Sequence, residues 1–212
     1  GIPLKLAPLN ETGLMTNVEQ RMNLWHLVSQ VLAYGVPGDV VELGCHAGQS
    51  AVLMQSVIEQ FDTSRTLHVY DSFEGLPELA EADGATPFQP GQLAVDEARL
   101  LENFDRYGLR HPVIHPGWFD ETLPDGLPDA IAFAHLDGDL YDSIRVSLAT
   151  VYPRLSPGAI CLVDDYCDRS LQDEEDHCPG VKRACDEFLA DKPEEISVLY
   201  AGRFTHGFFR KT

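Results

Sequence analysis

In this chain, carboxylates recur where apolar strand-like segments stop. Asp39-Val-Val-Glu-Leu-Gly44 closes with Glu42 and Gly44, and Leu67-His-Val-Tyr-Asp71 closes with Asp71. Ala130-Ile-Ala-Phe-Ala-His-Leu136 runs into Asp137-Gly-Asp139, and Ala159-Ile-Cys-Leu-Val163 runs into Asp164-Asp165. Any one of these acids could simply start a turn. Together they point to a ligand site, because open parallel sheets bind ligands at the carboxyl ends of their strands. Asp137, Asp164 and Asp165 are hard oxygen donors on neighbouring strand ends, which suits magnesium, manganese or calcium better than zinc. Without a cation, their repulsion would raise at least one pKa. Asp139, two residues after Asp137, can face the same pocket outside a metal shell; capping the following helix is its plainer role. A nearby metal lowers the pKa of a coordinated hydroxyl, so a carboxylate there can serve as its base.

The turn after the first strand reads Glu42-x-Gly44-x-x-x-Gly48 and leads into a helix. Such a turn brings backbone close to a ligand at a helix N-terminus. Glu42 suits an ammonium better than a pyrophosphate, and the full glycine pattern of a nicotinamide-binding fold is missing, which disfavours an oxidoreductase. Asp71 is placed to accept hydrogen bonds from ribose hydroxyls. Trp118 and Phe119 follow the third strand and either flank an adenine or pack in the core. His46 and His177 are candidates for contact with an acceptor. His135, in an apolar strand, reads as a packed core residue, and His206 as one that caps or packs. Cys167, His177, Cys178 and Cys185 are close in sequence but lack paired Cys-x-x-Cys spacing, so ordinary thiols outweigh a zinc site.

Composition narrows the partners. The chain has 212 residues with a net charge of -19, from 15 Lys and Arg against 34 Asp and Glu. No basic stripe offers itself to a nucleic acid or an anionic membrane surface, so neither is an expected partner. The acidity suits cations, neutral glycosides or a sulfonium cofactor. No segment approaches the run of about 18 apolar residues that a membrane helix needs. The sequence opens without a signal peptide's apolar stretch, and its five cysteines have no framework spacing, so a cytoplasmic protein with reduced thiols is expected.

The elements that must hold these residues alternate. Apolar periodicity predicts helices over 16–34, 50–60, 93–107, 141–152 and 181–190, the first capped by Thr16 or Asn17 with Glu19 or Gln20 three residues on. Strands are predicted over 39–44, 67–71, 113–115, 130–136 and 159–163, with an antiparallel closing pair at 196–200 and 205–210. Residues 75–92 read as a surface loop, 1–15 as an arm, and 168–178 as an acidic lid loop within a single 1–212 domain. Strands alternating with helices imply a mostly parallel sheet covered on both faces.

The motifs resemble a known family. Val40-Val-Glu-Leu-Gly44, Asp71-Ser-Phe-Glu-Gly-Leu-Pro77, Gly117-Trp-Phe-Asp-Glu-Thr-Leu-Pro124 and Leu136-Asp-Gly-Asp-Leu-Tyr-Asp142 occur in order. Pro153-Arg-Leu-Ser-Pro-Gly158, Val163-Asp-Asp-Tyr166 and Cys178-Pro-Gly with residues 182–188 follow. From Thr16 onward the chain is similar to the macrocin O-methyltransferases of macrolide biosynthesis and to relatives that methylate the noviose sugar of coumarin antibiotics. The resemblance implies a Rossmann-like class I methyltransferase fold, S-adenosylmethionine, and Mg2+ or Mn2+. It implies that Asp137, Asp164 and Asp165 bind the metal and that Asp139 is the general base. Glu42, Gly44, Ser50, Asp71, Ser72, Gly117, Trp118 and Phe119 would hold the cofactor. The acceptor would be a sugar hydroxyl of a small molecule or oligosaccharide, and the protein a homo-oligomer, typically a dimer. The first turn departs from the family: Cys45-His-Ala-Gly-Gln stands where Trp-Arg-Gly-Gly is common. A catechol-type O-methyltransferase and a non-catalytic cofactor-binding relative are the alternative readings.

Overall fold

The structure is a computed structural model that describes residues 15–61, 64–172 and 175–212. Its frame is a seven-stranded sheet: β1 (Asp39–Leu43), β2 (Leu67–Asp71), β3 (Val113–Pro116), β4 (Ile131–Leu136), β5 (Leu155–Asp164), β6 (Ser197–Ala201) and β7 (Phe204–Arg210). The strand order is β3-β2-β1-β4-β5-β7-β6; the first five are mutually parallel, and β7 is antiparallel to both of its neighbours. From β1 the order grows one way through β2 and the other way through β4. Right-handed crossovers running in opposite directions lay their helices on opposite faces. One group is α1 (Val18–Ala33), α2 (Gln49–Phe61) and α3 (Glu97–Tyr107); the other is α4 (Phe119–Gly126), α5 (Tyr141–Val151) and α6 (Pro179–Leu189). Every residue of β4 is buried, as a central strand covered on both faces requires. Among the described residues no helix is long and apolar enough to cross a membrane.

Three local departures from the expected elements have physical causes. α3 starts at Glu97 rather than at 93, because Leu93 sits at φ 65°, outside any right-handed helix. α4 is an additional helix in a stretch where Pro124 and Gly126 read as breakers. It forms because Asp120 and Glu121 suit its first turn and Leu123 buries completely. β5 begins at Leu155, ahead of Pro157 and Gly158, where the Gly158 N–H donates to the Lys211 carbonyl and the Lys211 N–H to that of Ala159. Of the expected arm and lid, residues 1–14 and 173–174 lie outside the described residues.

Candidate functional site

Around the carboxyl ends of the central strands lies a cavity of about 990 Å³. Its tightest point is the first turn. Gly44 has φ 89°, and a Cβ there would stand 1.8 Å from the Asp137 carbonyl oxygen. Only glycine lets β1 and β4 turn this closely at the point where the strand order reverses. The next residues are held by Asp71 at the end of β2. Its Oδ2 accepts the His46 N–H at 2.8 Å and its Oδ1 the Phe73 N–H at 2.8 Å. Each carboxylate oxygen keeps further acceptor capacity toward the cavity. Both partners are strained, at φ 45° for His46 and 58° for Phe73. Left-handed non-glycine residues of this kind cluster at ligand sites.

Gly44, Ser50, Asp71, Ser72, Gly117, Trp118 and Phe119 all line the cavity. Phe119 also packs on the core, whereas Trp118 is not part of that packing. One wall is the loop between β2 and α3. It closes on itself where the Leu76 N–H donates to the Gln92 carbonyl and the Gly91 N–H to that of Leu76, both at 2.8 Å. Asp83 anchors the loop. It is buried, with Oδ2 accepting the Ala80 N–H at 2.7 Å and Oδ1 the Tyr141 N–H at 2.6 Å. α5 has no side-chain cap of its own, so Asp83 caps it from across the fold.

Asp137, Asp139, Asp164 and Asp165 share the same cavity. They form two close groups: Asp137 and Asp164 with His135, and Asp139 and Asp165 with Cys178, the ligand atoms in each lying within 4.8 Å of one another. Burial, then the charges of Asp164, Asp139, Asp165 and Glu42, push the Asp137 carboxyl well above the usual range. Burial and the charges of Asp164 and Asp139 do the same to Asp165. Asp139 is pushed up to about 7 by burial, Asp164 and Asp71. Burial would raise Asp164 as well, but His206, His135 and Gln20 outweigh it and hold this carboxyl below its ordinary value. Asp139 and Asp165 both stand at φ 58°, just beyond the ends of β4 and β5.

The groups that anchor Asp164 come from three elements. The α1 cap is a capping box: Asn17 Oδ1 accepts the Gln20 N–H at 2.8 Å, and Gln20 Oε1 accepts the Asn17 N–H at 3.0 Å. This fixes the Gln20 amide so that Nε2 donates to both Asp164 oxygens at 3.1 Å. His206 pairs across the β5–β7 ladder with Asp164, and its Nε2 lies 2.9 Å from Asp164 Oδ1. Asn23 Nδ2 donates to the Tyr200 carbonyl at 3.0 Å and lies 3.1 Å from His206 Nδ1. That leaves Nδ1 as the acceptor and puts the ring proton on Nε2, toward Asp164.

His135 is more than core packing. It is fully buried, and its Nδ1 lies 2.9 Å from Glu42 Oε1, while its Nε2 points toward Asp164 Oδ2 at 3.9 Å. Burial alone would lower its pKa, but the Glu42 contact and the charges of Glu42 and Asp164 raise it. His206 likewise goes beyond capping or packing. Sequence reasoning misses both because each looks locally complete, one inside an apolar strand and one in a hairpin. The only sequence signal is a histidine beside strand ends that already carry acids. Glu42 is fully buried beside His135 and is not among the cavity-lining residues, so its carboxylate serves the histidine first. His46 and His177 both line the cavity, and burial, partly offset by Asp71, lowers the His46 pKa. Cys178 joins Asp139 and Asp165 rather than Cys167, His177 and Cys185, so among the described residues the sulfur-rich zinc cluster is not assembled.

A profile of the macrocin-O-methyltransferase (TylF) family matches residues 10–191. The chain belongs to that family. Among its relatives is the 8-demethyl-8-(2,3-dimethoxy-alpha-L-rhamnosyl)-tetracenomycin-C 4'-O-methyltransferase of Streptomyces olivaceus, 40% identical over 75% of this chain and 64% of the relative. Another is the demethyldecarbamoylnovobiocin O-methyltransferase of Streptomyces niveus, 36% identical over 87% of this chain and 71% of the relative. The chain thus spans about two thirds of the length of these curated relatives. Among solved structures, the O-methyltransferase NovP superposes with a TM-score of 0.78 at 32% identity, covering 92% of this chain and 81% of that one. The calicheamicin methyltransferase CalS11, 24% identical with a TM-score of 0.74 over 90% of this chain and 78% of that one, shares the fold. The macrocin-O-methyltransferase match takes in the first turn, the Asp71 and Trp118 segments and all four carboxylates, whereas Phe204, which also lines the cavity, lies beyond it.

Proposed function

We propose that this chain transfers the methyl group of S-adenosylmethionine to a hydroxyl of a sugar, carried on a small natural product or an oligosaccharide. The observation that carries the reading is the crowding of four carboxylates in one cavity with Gly44, Asp71, Ser72 and Trp118, the residues that the resemblance assigns to the cofactor. The relatives' names support an O-methyl transfer, and the Streptomyces olivaceus name specifies a rhamnosyl group.

Gly44 and Gly48 let the first turn approach the donor, Asp71 and Ser72 offer acceptors to its ribose, and Trp118 walls the adenine side. S-adenosylmethionine supplies a methyl group already activated on a sulfonium. The donor set fits a divalent cation, magnesium or manganese: its oxygens are hard, and burial together with neighbouring carboxylates, Asp164 foremost, pushes Asp137, Asp139 and Asp165 toward protonation. Asp137, Asp164 and Asp165 would hold it, and it would supply Lewis acidity to a sugar hydroxyl. Asp139 takes the proton from that hydroxyl on a carboxylate oxygen as the new oxygen–carbon bond forms and the carbon–sulfur bond breaks. Positioning by these fixed side chains supplies much of the rate, and the aromatic wall excludes water.

The test is methyl transfer from labelled S-adenosylmethionine to a panel of deoxysugar glycosides and catechols, with magnesium and with chelator. Transfer to glycosides that chelator abolishes is expected. Transfer to catechols alone would replace the sugar with a flat aromatic diol. Failure of S-adenosylmethionine and its demethylated product to bind in a titration would overturn the assignment.

A further inference from the structure

We propose that His135 Nε2 is itself a ligand of the cation beside Asp137 and Asp164, so that the site presents a nitrogen together with its oxygens. The inference rests on the metal reading above and deepens it. Its first support is a buried atom without a partner. His135 is fully buried, and its Nε2 has no hydrogen-bond partner among the described residues. Leaving an imidazole nitrogen unpaired and buried near the end of an apolar strand is costly, and native structures seldom do so without a reason.

The second support is orientation. Glu42 lies opposite His135 in the β1–β4 register, and its Oε1 takes up Nδ1 at 2.9 Å. With Nδ1–H donated to a carboxylate, the Nε2 lone pair is directed at the opposite side of the ring. A histidine that binds metal through one nitrogen while giving the other N–H to a carboxylate is the common arrangement in protein metal sites.

The third support is spacing. Donors around a six-coordinate ion with bonds of about 2.1 Å lie about 3 Å apart when adjacent and about 4 Å apart when opposite. His135 Nε2 is 3.9 Å from Asp164 Oδ2, and the ligand atoms of His135, Asp137 and Asp164 all lie within 4.8 Å of one another. Alternation along β4 puts His135 and Asp137 on one face, and the neighbouring β5 strand puts Asp164 on the same face. An imidazole among carboxylates tilts a site toward manganese and later transition metals and away from magnesium.

The experiment uses Mn2+ as the probe in the full chain, with and without 15N-labelled histidine. Electron spin echo modulation of bound Mn2+ reads directly coordinated nitrogen without any turnover. The expected result is 14N modulation that changes to the 15N pattern on labelling and disappears in His135→Gln, with Mn2+ binding weakened about tenfold or more. Because His135→Gln could disturb the buried strand, Glu42→Gln provides a second reading: nitrogen modulation stays and Mn2+ affinity falls about 10–100-fold. Mn2+ bound without nitrogen modulation would overturn this inference and leave the metal reading standing. Modulation that persists in a folded His135→Gln protein would overturn it in favour of another histidine such as His206. Absence of stoichiometric Mn2+ binding would overturn the metal reading itself.

Discussion

Asp164 and Asp139 sit in one cavity with opposite electrostatic settings. His206, His135 and Gln20 keep Asp164 ionised, whereas burial and the charges of Asp164 and Asp71 push Asp139 up to about 7. Pairs of acids whose surroundings drive their pKa values apart usually divide the work, one as a fixed charge and one as the proton carrier. Below its pKa Asp139 already holds a proton and cannot accept another, so turnover should rise with pH along a single limb. That limb should lie near 7 when magnesium is limiting and at lower pH when it is saturating, because added positive charge favours the carboxylate. Rates from pH 5 to 9 at two magnesium concentrations check this, and a flat profile would remove Asp139 as base. Asp139→Asn keeps the size and loses the basicity; it should cut turnover by about 10²–10⁴-fold while titration of the demethylated cofactor product stays near wild type. The four aspartates were legible because acids gathered at the ends of several apolar strands are too costly to bring together for packing alone. Gln20 and His206 were not, since their meeting with Asp164 needs the docking of α1 and the antiparallel β5–β7 register, neither of which has a local signature.

Elements set the accuracy of that arrangement, and two of them depend on single residues. At the end of β1, Ala at position 44 would put its Cβ 1.8 Å from the Asp137 carbonyl oxygen and would have to adopt φ 89°. Gly44→Ala should therefore weaken binding of S-adenosylmethionine as well as lowering the melting temperature, and normal affinity by calorimetry would show that the turn can open without cost. In the loop after β2, Asp83 ties the cavity wall to the N-terminus of α5, two residues beyond Asp139. Asp83→Asn replaces one acceptor with an amide that faces a backbone N–H. A loss of about 1–3 kcal/mol is expected, and each kcal/mol lowers the melting point of a chain this size by about 2–4 °C. Turnover should fall with it, because the Asp139 turn loses its outside cap; a variant that melts lower yet turns over normally would separate the loop from the catalytic turn. The alternation of strands and helices, the all-buried β4 and the presence of a closing strand pair were readable from periodicity alone. α4 and the early start of β5 were not, because Pro124, Pro157 and Gly158 are local breakers that tertiary burial and cross-strand pairing overrode.

At the scale of the whole molecule, the sheet brings mutually repelling carboxyls together, and a cation is the natural remedy. The raised pKa values of Asp137, Asp139 and Asp165 mean that the native chain holds protons that the unfolded chain has already released. A group raised in this way stabilises the fold below its unfolded pKa and loses that contribution as pH rises through its folded one. His135, also raised, acts with the same sign. Metal-free protein should therefore melt lower at pH 8.0 than at pH 6.5. Groups elsewhere enter the comparison unequally. Glu194, held to about 2 against burial by Lys211, Tyr152 and Thr212, loses its contribution only as pH falls from its unfolded value of 4.5 toward 2. His46, His68 and His115, all lowered by burial, act with the opposite sign and still gain part of their contribution as pH rises from their unfolded value of 6.5, so the magnesium-dependent difference, in which they cancel, is the deciding quantity. Magnesium competes with protons for the same oxygens, so its stabilisation should grow from pH 6.5 to 8.0 and offset the decline. Melting curves at the two pH values, with and without magnesium, decide the matter. An equal magnesium increment at both would mean that the ion binds away from these carboxyls, and no increment at either would mean that protons and imidazoles alone balance the cluster.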